Sequence, residues 1–365
     1  MGPPVTNSTS TSAHIDGRPL VTFGGCNYLG LAHHPRLLHA ASLAAERYGL
    51  TTSASRTTTG DTDLHHELER LLADWFSREA ALLAPEGMLA NLVACQAAAA
   101  LGIRHALIDD RAHRSLRVAA VAAGLEITSF PHGQRPETAA LARTNTPCII
   151  LTDGVFTATG EIANLKALAE SLPTPESVLL VDDCHGFPVL AGGHGTAAHA
   201  GLTDPRVWIT TSLAKGLGAG GGVFLAPKRV IDVACAHASA FICTTPPSPA
   251  LAGAAVEAIA LLETEPDRVA RLSTNAARIA AGLETLGLNP GSPLTPIFSF
   301  DFGTADLSSF ETHMQIAGFS VPVMSYPGGR TDRYVRLTVN ADHTEAQIDG
   351  VLAAIGAFIP MAVPS

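Results

Sequence analysis

VLLVDDCHG (residues 178–186) decides the fold. Four aliphatic residues in a row, with no polar alternation, end in two carboxylates, a cysteine and a histidine. An unbroken apolar run of this kind marks a strand covered on both faces, as in a parallel sheet. The polar residues at its carboxyl end lie where open α/β sheets place ligands. Outward from it, similar runs recur at HALID (105–109), ITSF (127–130), CIILTD (148–153), VWITT (207–211) and GGVFLA (221–226). Helical patterns separate them. Leu64, Leu68, Leu71, Leu72, Trp75 and Phe76 repeat at helical spacing behind an N-cap at Asp61 or Asp63, and residues 88–101 (MLANLVACQAAAAL) read as a second, largely buried helix. Strands alternating with helices predict a mostly parallel sheet between helical layers, an α/β fold.

The pattern changes at FICTTPPSPA (241–250), where an Ala-rich helix over 248–263 follows. Beyond about residue 270 come a helix, IFSFDFG, a helix over 306–317, FSVPVM, YVRLTV and a last helix over 344–358, which suits a smaller α+β domain. The chain divides into an N-terminal segment (1–45), a large domain (46–245) and a connecting helix with a small C-terminal domain (246–365). The first residues, MGPPVTNSTSTSAHIDG, read as a flexible polar tail, not a signal peptide. A net charge of -10 without a basic block argues against nucleic acid and acidic membrane surfaces. No run approaches the roughly 18 apolar residues of a membrane span. The six cysteines form no CxxC pair, so neither a zinc site nor a disulfide framework is expected, and a reducing cytoplasm fits.

Three local features carry chemistry. TTSLAKGLGAGGG (210–222) follows a strand and puts Lys215 between hydroxyls (Thr210, Thr211, Ser212) and glycines (216, 218, 220, 221 and 222). A lysine beside glycines can be a surface residue on a turn. Here the glycines permit close backbone approach to a ligand and the hydroxyls suit a phosphate. An amine that forms a Schiff base needs such a desolvated pocket to lower its pKa. Asp182 and Asp183 end their strand pointing to opposite faces, which argues against a metal site. Asp182 reads either as a capping carboxylate or as the partner of a protonated ring nitrogen. APEGMLAN (84–91) starts a helix at Gly87, where free N–H groups and the helix dipole favour a phosphate.

In combination these features resemble the fold-type I pyridoxal-5'-phosphate (PLP) enzymes, and within them the α-oxoamine synthase family. NYLGLAHHP (27–35), YGLTTSASRTTTG (48–60), His66-Glu-Leu-Glu69, DDRAHRSL (109–116), TDGVF (152–156), VDDCHG (181–186), SLAKG (212–216) and VRLTVNADH (335–343) fall in that family's order and approximate spacing. The resemblance covers residues 22–345. It implies a mostly parallel seven-stranded sheet, a homodimer with shared active sites, and PLP carried on Lys215. It also implies Asp182 against the pyridine nitrogen, His185 on the phenolic oxygen and His113 stacked on the ring. Gly87, Met88 and Ser212 would hold the phosphate, joined by Thr244 or Thr245 of the neighbouring subunit. Thr157 occupies a usual serine position near the cofactor. Asn27 and Arg336 match positions that bind the amino-acid carboxylate.

The implied reaction is a decarboxylative condensation of a small amino acid, best matched by L-alanine, with a pimeloyl-like acyl thioester on coenzyme A or a carrier protein. Lys215 would serve as base and Asp182 would stabilise the charge. Other members' substrates, an aminotransferase or lyase on the same lysine, and a non-catalytic PLP-binding subunit stay open as alternatives. This sequence departs from the family at Glu86, where serine is usual, at His132-Gly133-Gln134, at Phe187-Pro188, and in lacking most of the helix before NYLGL. These departures leave the PLP core intact and bear on the acyl-donor side.

Overall fold

Hydroxyl-rich though it is, the segment from Val5 to Thr22 is structured. In the computed structural model, which describes residues 4–136, 146–303, 307–325, 328–329 and 331–362, strands β1 (Val5–Ser8), β2 (Ser12–Ile15) and β3 (Arg18–Thr22) form an antiparallel meander. The expected flexible tail is thus corrected. The Thr9 hydroxyl accepts from the backbone N–H groups of Thr11 and Ser12 and closes the first turn, the usual way a Thr/Ser run makes a turn without glycine. Asp16 and Gly17, both at positive φ, make the second turn.

The large sheet uses β4 (Ala80–Ala84), β5 (His105–Asp109), β6 (Glu126–Phe130), β7 (Cys148–Asp153), β8 (Val178–Asp182), β9 (Val207–Ser212) and β10 (Gly222–Ala226) in the order β4-β10-β9-β8-β7-β5-β6. β6 through β9 pair in parallel, and β10 runs antiparallel to both its neighbours. Alternate residues feed two separate cores. Leu179, Val181 and Ile209 face one helical layer, and Leu180, Ile149 and Trp208 face the other. This two-sided burial is why the strands read as continuous apolar runs. Burying one such Leu or Ile contributes about 1.5–3 kcal/mol. The helix Asp63–Trp75 is capped by Thr62, whose hydroxyl accepts from His65 N–H, and not by Asp61 or Asp63.

After the helices Pro249–Thr264 and Asp267–Thr285 comes the smaller unit, with β11 (Ile297–Phe300), β12 (Phe319–Ser320), β13 (Val323–Met324) and β14 (Tyr334–Thr338). β11, β14 and β13 form one sheet over a third core containing Phe298, Phe310, Leu337 and Phe358. β12 pairs in parallel with β3, so the N-terminal meander is continuous with this unit.

His343 fastens that junction. It is buried, accepts from Asn340 N–H through Nδ1 at 2.9 Å, donates from Nε2 to Thr22 O at 3.0 Å, and stacks on Phe23. Burial pulls its pKa down from 6.5 to about 4. An unfolded chain therefore takes up this proton near 6.5, while the folded chain does not until about 4. The folded state binds fewer protons in that window, so stability is full above it and falls as pH drops through it. A loss on the order of 3 kcal/mol between its two ends is expected. Urea unfolding at pH 7, 5.5 and 4.5 should show this slope, and a His343→Asn chain should titrate more flatly.

Candidate active site

Four strand ends build the site. β5, β7, β8 and β9 finish side by side with Asp109, Asp153, Asp182 and Ser212, and the turn after β9 carries Lys215. Register sets Asp153 beside Asp182, and Asp182 beside Thr210. The turn has little freedom. Leu213 and Leu217 are fully buried, and a Cβ on Gly216 would overlap Pro188 Cδ. Phe187, fully buried against Phe76, directs the Phe187-Pro188 departure into the core beneath the lysine loop.

Lys215 Nζ lies 3.0 Å from His185 Nε2, whose Nδ1 lies 2.6 Å from the Tyr28 hydroxyl. Burial lowers the lysine's pKa, but Cys184, Asp182, Cys26 and Asp153 outweigh it, and the amine ends above its ordinary value. The expectation of an amine discharged by burial is therefore corrected: the surrounding acids hold it as an ammonium in the chain by itself. Burial, with Lys215, Arg336 and His113 nearby, pushes His185 well below its ordinary value and keeps it neutral.

Asp182 Oδ2 accepts from Asn91 Nδ2 at 2.7 Å, and its Oδ1 accepts from Cys184 N–H at 3.2 Å. The same Asn91 amide donates to Ser115 Oγ at 3.0 Å, and Asn91 Oδ1 accepts from the Thr210 hydroxyl at 2.5 Å. Ser115 Oγ in turn lies 2.7 Å from His113 Nδ1, and the two carboxylate oxygens of Asp153 accept His113 N–H. One buried amide thus orients both Asp182 and, through Ser115, His113. Asp183 faces the other way, as its place one residue on requires. It accepts from Thr196 N–H and the Thr196 hydroxyl, and burial raises it to about 7. Asp153 is also raised well above its ordinary value, first by burial and then by Asp182.

The residues fit a phosphorylated pyridine. Gly87 opens the helix Gly87–Ala100 with unbonded N–H groups. A Cβ there would sit 2.9 Å from Ser212 Cβ, so side-chain bulk is excluded from that cradle. Met88 follows at 51% exposure and Glu86 is exposed, which leaves its carboxylate a route to solvent. Among the described residues no cluster suited to a metal is present.

Arg336, buried at β14, donates from Nε to Thr157 O at 2.6 Å and contacts Tyr28 and Cys26. Thr157 therefore serves Arg336 directly. Asn27 spends its Oδ1 on Ala32 N–H, while its neighbour Cys26 is the residue turned toward Arg336. Thr244 donates to Ala240 O and Thr245 is exposed, so neither is tied into the cradle within one chain. Sequence reasoning missed Asn91, Tyr28 and Cys26. All three stand inside or beside motifs already singled out, and Asn91 is a polar residue on an otherwise Ala- and Leu-rich helix face.

The aminotransferase class I and II family model matches residues 18–355. An 8-amino-7-oxononanoate synthase of Pseudomonas aeruginosa is 34% identical over 348 residues, covering 94% of this chain and 86% of that one. One from Methylococcus capsulatus is 34% identical over 363 residues, covering 98% and 93%. A serine palmitoyltransferase structure from S. paucimobilis superposes with a TM-score of 0.90 at 23% identity, covering 98% and 92%, which is likeness of fold.

Proposed function

This chain belongs to the aminotransferase class I and II family, and from that premise we propose that it is a PLP-dependent 8-amino-7-oxononanoate synthase. It joins L-alanine to a pimeloyl thioester, releasing the thiol and CO₂ and leaving an α-amino ketone. The observation that carries the reading is the convergence of Lys215, His185, Asp182 and Arg336 at one sheet edge, in a chain related over nearly its whole length to enzymes of that name.

Bound PLP supplies a sink for the electron pair left when alanine loses its Cα proton. The chain's own residues do the rest. Lys215 Nζ would hold the cofactor and then take that proton. Asp182, locked by Asn91, would face the ring nitrogen. Gly87, Met88 and Ser212 would hold the phosphate. Arg336, steadied by Thr157, grips the amino-acid carboxylate, with Asn27 on the same loop as Cys26. With PLP bound, His113 would lie over the ring and His185 would face its phenolic oxygen.

The protein works as a homodimer in the cytoplasm, with Thr244 or Thr245 reaching the partner's phosphate. No helix among the described residues is long and apolar enough to cross a membrane.

The test is thiol release from pimeloyl-CoA or a pimeloyl carrier protein by PLP-loaded chain with L-alanine, glycine or L-serine. Alanine-dependent release is expected. Turnover of an amino acid with a 2-oxoacid and no thioester would make it an aminotransferase. Absence of thiol release with any acyl donor and small amino acid would end the reading.

A further inference from the structure

Tyr28, His185 and Lys215 form an unbroken chain of polar contacts, 2.6 Å and 3.0 Å long. At its far end the fully buried Tyr28 hydroxyl also meets Cys26 and Arg336. Lys215, Arg336, His113 and Tyr28 face His185, while Cys184, Asp182, Cys26, Asp153 and His185 face Lys215. His185, held neutral by burial and these cations, carries one ring proton.

That proton cannot be placed without regard to its neighbours. An ammonium on Lys215 offers only donors, so His185 Nε2 must accept and the proton sits on Nδ1, donated to the Tyr28 oxygen. Where an acceptor oxygen faces Nε2, such as the phenolic oxygen of bound cofactor, the proton must sit on Nε2, and Nδ1 must then accept from the Tyr28 O–H. A phenol hydroxyl serves both arrangements. A phenyl ring serves neither, although it fills the same space.

We propose that Tyr28 is a positioning residue whose hydroxyl carries His185 between its two neutral tautomers, so that the histidine proton follows the charge at Lys215. The proposal concerns the site of the proposed reaction and rests on that reading only for its cofactor-loaded state.

The experiment uses the full chain labelled with ¹⁵N-histidine at neutral pH, with the His185 signals assigned by their loss in His185→Gln. Free of cofactor, the wild type should carry the proton on Nδ1, and loading with PLP should move it to Nε2. In cofactor-free Tyr28→Phe the ammonium still holds the proton on Nδ1, now without an acceptor, so the charged amine becomes the costlier state. The pH midpoint for acetylation of Lys215, read by mass spectrometry, should then fall by roughly one pH unit, the effect of leaving one buried N–H unpaired. A cofactor-free wild type with the proton on Nε2, or a Tyr28→Phe chain matching the wild type in its Lys215 midpoint, overturns the proposal. Should Tyr28→Phe fail to fold, the wild-type comparison decides alone: an unchanged tautomer on loading overturns it. A chain that takes up no PLP would sink the proposed function, while the cofactor-free comparison would still decide this one.

Discussion

Replacing Lys215 with alanine is expected to abolish the visible absorbance of lysine-bound PLP and to cut alanine-dependent thiol release by about 10⁴-fold or more. Two proposed roles vanish together, since the same Nζ would hold the cofactor and move the Cα proton. The fold should survive. Lys215 is only half-buried, and its turn is held by Leu213, Leu217 and the Gly216–Pro188 contact, none of which the substitution touches. Removing the ammonium takes from Asp182 and Asp153 a cation that they hold against the cost of its burial, so the thermal midpoint should fall modestly. His185 should titrate at a higher pH, because Lys215 is one of the charges that depress it. Absorbance, thiol release and a histidine titration check the three parts separately. A variant that keeps its activity would remove Lys215 from the chemistry, whatever its place in the pocket.

Much of this was legible in the sequence because the physics was local. Strands buried on both faces have to be continuously apolar, so β5 and β7 through β10 stood out, and their carboxyl ends pointed to Asp182 and Lys215; β6, an exposed edge strand, was marked by its Ile, Thr and Phe. β4 did not stand out. Ala80–Ala84 is a short alanine–leucine run without β-branched residues, and its strand state comes from pairing with β10 and not from propensity. The N-terminal meander hid behind its hydroxyls, which composition reads as solvated tail and the structure uses as turn closures. In the site, residue types were legible but their partners were not. Asn91 lies 91 residues from Asp182, and Tyr28 lies 157 residues from His185. No spacing rule reaches across such distances, and only the sheet order brings these side chains together. Sequence pointed to Asn27, while the neighbour that touches Arg336 is Cys26, a matter of backbone direction at a turn that residue type does not answer.

Asp182→Asn tests the electrostatic half of the site at nearly constant shape, and it should lower turnover by about 10²–10³-fold, the usual cost of removing one preorganised stabilising group. The amide can keep the acceptor bond from Cys184 N–H through its oxygen. Its NH₂ then meets the Asn91 NH₂, so Asn91 has to turn over or lose the contact, and its bonds to Ser115 and Thr210 change with it. Some of the effect will therefore reach His113 through Ser115. Two readouts separate charge from geometry. Lys215 loses one of the acids that hold up its pKa, so its acetylation midpoint in the cofactor-free chain should fall. Asp153, raised in part by Asp182, should titrate lower. Asn91→Ala keeps the carboxylate but loosens its hold and releases Ser115 and Thr210 as well, so it should disturb turnover less than Asp182→Asn and leave the Lys215 midpoint near that of the wild type. If Asn91→Ala proved as damaging as Asp182→Asn, with no change at Lys215 in either, orientation and not charge would be what Asp182 contributes. Equal activity of Asp182→Asn and wild type would show that no negative charge is needed beside the ring nitrogen.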